Sequence, residues 1–582
     1  MSPYFFSLAT RAARVSLSPQ GKTKVLAVAA YFLKLLLKLF TLSLFNEDDV
    51  MVTSTRFLLV DATGAGSGIR GLARDVIGSG ARVIAGVLEK MGGTVKIMVP
   101  ESFFEARSRL SEFDVLMCGG MSMDIPAMTK IARIWKRWNG GVCIAGGPAS
   151  LEAEKLLQGG YDLVLVGEAE DTVADLFAKG LSDGKLPDEE ELRRIHGVSF
   201  TFKTSGSFCS GVRRTTGRWE PSVERIKDYP LYKVARVYVW CVRGCSNFYR
   251  TRIPLPDGRR CVECGRCTSG PLKDRLTCPA NIPPGCGYCS VPNVYGPPRS
   301  RDVESILSEV EGLLEQGVRR IYLGASCFLD FHRDERVGGG PLSDPRNPEP
   351  NYDRIEELLS NLKDLAGSKV YVSVENAKPC LFTEEAASII SEYLPGSTIH
   401  LGGETGDMDH ASALGRPSTP SETLGAVSLA VKKGLRPYVY FIHGLPGQTL
   451  KSARKTVKMM REVARLGAEK ITVYRFKPLP MSAFEGFKEA PPATRSKAGG
   501  IIVREAIKIN RAMKKKLVGK VIDVVVAEKG RGNFKDRLVG YPLREGPTII
   551  LSGATSIGDI VRVRVTNILG DKLVEGNVLN ES

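Results

Sequence analysis

Residues 237–245 read VYVWCVRGC, and residues 283–292 read PPGCGYCSVP. The first is an apolar run ending in Gly-Cys, the form of a buried strand that delivers Cys245 to its C-terminal mouth. The second sets Cys286 and Cys289 on either side of Gly-Tyr, with a proline-containing exit. Between them CVECGRCTSGPLKDRLTC (261–278) carries Cys261, Cys264, Cys267 and Cys278. With Cys241, this span holds eight of the chain's 13 cysteines. Thiols clustered so within 582 residues favour metal ligation over the disulfide framework of a small secreted domain. A reducing cytoplasm is the matching compartment.

Outward from this stretch, the chain divides by its apolar periodicity. Residues 51–185 alternate strand and helix patterns: FLLVDATG, TVKIMVP, FDVLMCGGM, GVCIAGGP and YDLVLVG as strands, RVIAGVLEKMG and IARIWKRW as helices. Glycines close the strands, which predicts an α/β, doubly wound Rossmann-like sheet. Residues 186–230 read as a linker with a hairpin at GVSFTF. Residues 231–495 give six further strands, VARVYVW, RRIYLGAS, KVYVSVEN, STIHLGGE, RPYVYFIHGLPG and EKITVYRFKPLP, with helical patterns between them. That count predicts a partial (β/α) barrel with its chemistry at the C-terminal strand ends, interrupted by a cysteine-rich insertion at 246–285. Residues 496–515 form a basic helix, and 516–582 are short strands with Gly-rich turns, a small OB-like β-barrel.

Hydrophobic residues at 43% exclude a disordered chain, and a net charge of +17 favours a polyanionic partner, most simply nucleic acid. A lysine-rich solvated surface is the alternative. Lys24–Phe45, KVLAVAAYFLKLLLKLFTLSLF, is apolar but contains Lys34 and Lys38. It reads as a membrane anchor, as a helix lying in the bilayer interface, or as sequence upstream of a start at Met51 that leaves residues 1–50 untranslated. The last reading leaves no stable membrane association.

Cys245, Cys286 and Cys289, with Tyr288 before the last, resemble the three-cysteine loop of the radical S-adenosylmethionine (radical SAM) family. The resemblance implies a 4Fe–4S cluster on these three thiolates, with one iron open to the amino and carboxylate groups of S-adenosylmethionine, and cleavage to a 5′-deoxyadenosyl radical. The family spaces these cysteines C-x3-C-x2-C, whereas forty residues separate Cys245 from Cys286 here. Cys278 could stand as the first ligand instead. With Cys245 in that place, Cys261, Cys264, Cys267 and Cys278 form C-x2-C-x2-C-x10-C-P, four thiolates that close a second site around a 4Fe–4S cluster or zinc. Zinc knuckles without redox chemistry are the alternative for all eight.

Further segments strengthen the likeness. Leu401–Asp407, LGGETGD, is similar to the family's G-x-E-S/T-G context, which implies that Gly402, Gly403 and Glu404 help hold S-adenosylmethionine. FIHGLPGQT resembles the G-L-P-G-E-T segment, with Gln448 in place of glutamate. Glu375 and Arg475 fall at other strand ends, Arg475 where it could meet a carboxylate. The first domain resembles cobalamin-binding domains, yet the D-x-H-x-x-G signature is absent and no His precedes His196. The C-terminal barrel resembles a TRAM domain, an RNA-binding module, with Lys529, Arg531, Lys535 and Arg537 for phosphate and Phe534 and Tyr541 for stacking.

These likenesses lead us to expect a radical SAM transferase that modifies RNA, most simply tRNA, by methylation or methylthiolation, with cobalamin as a possible further cofactor and an electron-donor protein as partner. The alternatives are a cobalamin-type radical enzyme acting on a lipid or small molecule, and a non-catalytic zinc protein that binds RNA.

Overall fold

The structure, a computed structural model, describes residues 54–71, 74–202, 206–367 and 370–579. Lys24–Phe45 lies outside the described residues, and no described helix is long and apolar enough to cross a membrane.

The N-terminal strands are β1 (Arg56–Asp61), β2 (Val76–Ile77), β3 (Thr94–Met98), β4 (Val115–Gly119), β5 (Val142–Gly146), β6 (Leu163–Leu165), β7 (Val198–Thr201) and β8 (Ser207–Cys209). They form a sheet of order β3-β1-β4-β5-β6-β7-β8, from which β2 departs to pair with the next domain. Its first five strands run parallel. Alternation along β1 explains the two covered faces. Phe57 and Leu59 meet helices α1 (Gly80–Lys90) and α3 (Glu170–Ala178), while Leu58 and Val60 meet α2 (Ile125–Trp138). On α2 the buried residues Ile125, Met128, Ile131, Ala132 and Trp135 follow helical spacing. The expected linker is corrected in part. β7 and β8 do form a hairpin, but it extends this sheet antiparallel to β6, because Val198 and Phe200 are buried and Phe200, Phe202 and Phe208 pack ring on ring.

The central domain contains β9 (Arg236–Arg243), β10 (Arg299–Ser300), β11 (Arg320–Ala325), β12 (Tyr371–Val374), β13 (Asn376–Ala377), β14 (Thr398–Glu404), β15 (Arg436–His443) and β16 (Lys470–Arg475). β9, β11 and β12 pair in parallel, as do β13 to β16. β12 passes into β13 across Glu375, so all six expected strands follow chain order around a partial barrel. Helices α4 (Val303–Glu315), α5 (Tyr352–Ala366), α6 (Glu384–Tyr393), α7 (Pro420–Lys432) and α8 (Leu450–Arg465) connect the strands. This barrel is not filled by layers of aliphatic side chains. Tyr238, His400, Tyr438, Tyr440 and Tyr474 line a cavity of about 1560 Å³.

Helix α9 (Lys497–Lys515) is fixed to β16 by Asn510, whose amide gives a 2.7 Å bond to the Ile471 carbonyl and accepts from the Ile471 N–H at 3.1 Å. It leads to β17 (Val521–Lys529), β18 (Leu538–Pro542), β19 (Thr548–Ser552), β20 (Ile560–Ile568) and β21 (Leu573–Val578), a closed barrel of order β17-β18-β19-β21-β20. The turn after β18 sits beneath the N-terminal strand ends of the central barrel. Arg320 Nε donates to the Leu543 carbonyl at 3.0 Å, and Arg436 Nη2 to the Glu545 carbonyl at 3.0 Å. The Glu545 carboxylate lies 3.6 Å from Arg236 and 3.4 Å from His400 Nε2.

Candidate active site

Cys245 stands two residues beyond Arg243, where β9 ends. Gly244 has φ 86°, and a Cβ there would lie 2.3 Å from the Pro297 carbonyl oxygen, so only glycine fits. The Cys245 N–H donates to the Gly296 carbonyl at 3.0 Å, and β10 then pairs with β9. The chain therefore leaves after Cys245, runs through the insertion, and returns beside its point of departure carrying Cys286 and Cys289. The forty-residue gap in sequence is an excursion closed in space.

The three thiols line the large cavity. Burial pushes the Cys286 and Cys289 thiols up, and each also feels the charge of Cys245. Asn247, which sequence reasoning missed, is 2% exposed and ties the site together. Its Nδ2 donates to Cys286 Sγ at 3.3 Å and to the Gly415 carbonyl at 3.1 Å. Gly287 bonds to Leu414 and Phe484 backbone groups, and a Cβ on it would fall 2.4 Å from the Phe484 ring.

Glu404 faces these thiols from a bulge at the end of β14, with φ 54°. A non-glycine residue held so costs on the order of 1–3 kcal/mol, which the surrounding packing must offset. The two glycines before it are closely packed. A Cβ on Gly402 would lie 2.7 Å from Glu404 Oε1, and one on Gly403 would lie 3.0 Å from the Phe441 ring. Arg416 is the second residue that sequence reasoning missed. Its Nη1 lies 3.1 Å from Glu404 Oε1 and donates to the Tyr288 hydroxyl at 2.7 Å, while Nη2 donates to the Gly402 carbonyl at 2.8 Å. Burial raises the Glu404 carboxyl despite Arg416. Burial opposes the Arg416 charge, yet Tyr288, Glu404 and Cys286 hold it firmly protonated. The one signal for Arg416 was its place in the GRPST segment after Leu414, which has no periodicity to mark it.

Arg475 is a correction: its side chain turns to Glu489, and the guanidinium beside Glu404 is that of Arg416. Glu375 lines the cavity and accepts from the Tyr238 hydroxyl at 2.8 Å.

Arg416 Nε is buried with no partner among the described residues. An orphaned donor beside a buried carboxylate suits a zwitterionic ligand, and three soft thiols on one wall suit an iron–sulfur cluster with an open corner. Among the described residues no three His, Cys, Asp or Glu side chains are placed to hold a single ion. A cube that carries each thiolate on its own iron does not require that closeness.

The charges of Cys278, Cys267, Cys264 and Cys261 all act on the Arg250 guanidinium. Arg250 itself donates to the carbonyls of Phe248, Arg275, Leu276 and Ile282, which anchors the insertion on the barrel. Burial raises the Cys267 thiol. Cys241 is fully buried in the core and takes no part.

A second cavity, of about 420 Å³, lies where the C-terminal ends of β1, β4, β5 and β6 face the barrel. Its floor carries Gly119, Gly120, Gly146 and Gly147, and its opposite wall Trp240, Arg243 and Tyr295. A Cβ on Gly119 or Gly146 would meet nothing within 4 Å, so bare backbone faces open space. Such a floor suits a broad flat ligand. No His lines it. Ser326 lines both cavities, so they meet next to Cys245.

The C-terminal residues expected to meet RNA separate. Lys529 and Lys535 are exposed. Arg531 donates to the Arg70 carbonyl at 3.0 Å, and Phe534 packs in a small core. Two are corrected. Arg537 is tied to Glu575 at 2.6 Å, and Tyr541 is buried with its hydroxyl donating to Glu528 at 2.7 Å, leaving no face for stacking.

The family model for the radical SAM superfamily matches residues 277–460. The chain is 38% identical to an uncharacterised protein of Methanopyrus kandleri over 90% of this chain and 96% of that one. It is also 27% identical to tRNA-2-methylthio-N(6)-dimethylallyladenosine synthase of Bdellovibrio bacteriovorus, over 48% of this chain and 58% of that one. In fold it is similar to the radical S-adenosylmethionine methyltransferase TsrM from Kitasatospora setae with cobalamin and a [4Fe-4S] cluster bound, with TM-score 0.51 and 15% identity over 74% of this chain and 77% of that one. The chain belongs to the radical SAM superfamily, whose members use a 4Fe–4S cluster and S-adenosylmethionine.

Proposed function

We propose that this chain is a cobalamin-type radical SAM methyltransferase that acts on RNA, most simply tRNA. The observation that carries it is the meeting of two cavities at Ser326, one walled by the three thiols and the Glu404–Arg416 pair, the other floored by bare glycines. When bound, the cluster supplies the electron that splits the sulfonium and cobalamin supplies a methyl group. Cys245, Cys286 and Cys289 would hold the cluster. Glu404, positioned by Arg416, meets the ligand's ammonium, and Arg416 Nε its carboxylate. Asn247 steadies Cys286. Tyr238 and Glu375 orient the substrate inside the barrel. Lys529 and Lys535, with the net charge of +17, support RNA as the polyanion. A soluble electron donor completes the system.

Methylthiolation is the second reading, favoured by the four further cysteines of the insertion, whose charges act on Arg250. Anaerobically reconstituted protein should bind cobalamin and form 5′-deoxyadenosine, and C286A and C289A should abolish the latter. Replacing Cys261 and Cys264 by serine distinguishes the outcomes. Retained methyl transfer with lower iron assigns those thiols to an auxiliary cluster, and lower zinc assigns them to structure. Mass spectrometry of nucleosides in tRNA from a deletion strain then tests the substrate, and unchanged nucleosides would refute the RNA assignment.

A further inference from the structure

Below its tyrosines the large cavity ends among lysines that the chemistry at the thiols does not use. Lys470 opens β16, Lys514 lies in the last turn of α9, and Lys572 sits in the turn between β20 and β21. Three separate elements thus bring lysines to one space, where Lys470 and Lys572 both act on Lys514. Lys514 is 7% exposed, and among the described residues neither it nor Lys470 has a hydrogen-bond or ion-pair partner. Lys470 rests over the Tyr438 ring at 5.2 Å.

Nearby carboxylates do not cancel this charge. Glu469 is held by Arg436 in a two-pronged pair, and Glu545 by Arg236 and His400. Asp571 is the unpaired acid in the group and acts on Lys514 from beyond ion-pair reach. Burial, together with Lys470 and Lys572, brings Lys514 down to about 8. An ammonium on a largely buried side chain without a counter-ion is costly, and a ligand entering the cavity can supply the missing charge.

We propose that Lys470, Lys514 and Lys572 form a phosphoanion subsite at the lower end of the cavity, which holds a phosphate of the substrate while its reacting part lies toward the thiols. Three point charges from three directions suit a compact polyanion; a carboxylate is better matched by the planar fork of arginine. Between the lysines and the thiols the walls are rings. His400 stacks on Tyr438 at 5.4 Å and 2°, and Tyr440 on Tyr474 at 5.8 Å and 13°. The matching ligand carries a phosphate and a planar base, a nucleotide free or within a single strand. This inference rests on the cavity being the substrate chamber, not on the cluster chemistry.

Isothermal titration of the full chain with inorganic pyrophosphate tests it, and needs neither iron nor S-adenosylmethionine, so it can fail while 5′-deoxyadenosine formation succeeds, or the reverse. We expect one saturable site, weakened at least about tenfold in K514M and in K470M, and unchanged in K508A on the outer face of α9. K514M removes an unpaired charge from a largely buried side chain, so the ligand-free variant should melt no lower than wild type while losing the pyrophosphate-dependent rise in melting temperature. Displacement of pyrophosphate by adenosine monophosphate marks a free nucleotide, and displacement only by a single-stranded RNA oligomer marks a strand phosphate. Absence of saturable binding, equal binding in K514M and K470M, or displacement by neither competitor would overturn the proposal.

Discussion

Replacing Glu545 by glutamine should loosen the C-terminal barrel from the central one without disturbing either core. The side chain is buried and faces Arg236 and His400 at 3.6 and 3.4 Å. Burial pushes its carboxyl up, but His400, Arg236 and Thr398 outweigh that and hold it down at about 2. At about 1.4 kcal/mol per pH unit of displacement, the charge contributes about 3 kcal/mol to the docked state. The contribution is complete above the ordinary carboxylate range and is lost as pH falls toward 2. Amide hydrogen exchange reports it locally, because Leu543 and Glu545 N–H groups bond to the Asp523 and Pro542 carbonyls in the docked turn. At neutral pH these amides should exchange about a hundredfold faster in E545Q, with the difference closing in acid. The Arg320 and Arg436 bonds to backbone carbonyls survive the substitution, so strands β17–β21 should keep their own protection. Unchanged exchange at residues 543–545 would refute the reasoning that this carboxylate joins the two barrels.

Other substitutions probe the upper end. Leucine at Gly119 or Gly146 enters open space, so the fold should persist while cobalamin absorbance in the reconstituted protein is lost. G287A drives a methyl into the Phe484 ring, 2.4 Å away, and should lower bound iron per chain without unfolding the N-terminal sheet, as iron analysis and circular dichroism would show. R416M leaves Glu404 buried without its partner, at about 3–5 kcal/mol. S-adenosylmethionine affinity, read by equilibrium dialysis, should fall by at least about tenfold, and E404Q in the same chain should recover part of the melting temperature.

The fold was legible because its signals were local. Buried parallel strands such as FLLVDATG and RPYVYFIH show as apolar runs closed by glycine, and six of them in succession describe the barrel. The site was legible only where a residue had a chemical signature. Cysteines, and the glutamate in GGE, carry one, and Gly402 and Gly403 lie close against Glu404 and the Phe441 ring. Arg416 and Asn247 carry none, since their roles depend on which loops cross above the barrel. Arg475 and Tyr541 show the converse error. Residue type suggested a ligand contact, but strand parity and a nearby acid decide where each side chain turns, and Glu489 and Glu528 claim them.

The two ends of the central barrel are therefore built from different materials for different tasks. At the upper end, soft thiols, a strained glutamate and glycine-floored backbone assemble from β9, β14 and the N-terminal sheet. At the lower end, strands begin on Arg236, Arg320, Arg436 and Lys470, cations that must be neutralised where they converge. Asp75 pairs with Arg236 and Arg320 and Glu469 with Arg436, while Glu545 and the turn carbonyls of the C-terminal barrel take up their remaining donors. They leave Lys470 and Lys514 without counter-ions, and the tyrosine-walled cavity connects those lysines to the thiols. A barrel packed with aliphatic layers could not join its two ends in this way. The polar interior gives the C-terminal domain a direct route to the thiols, although it docks at the opposite face.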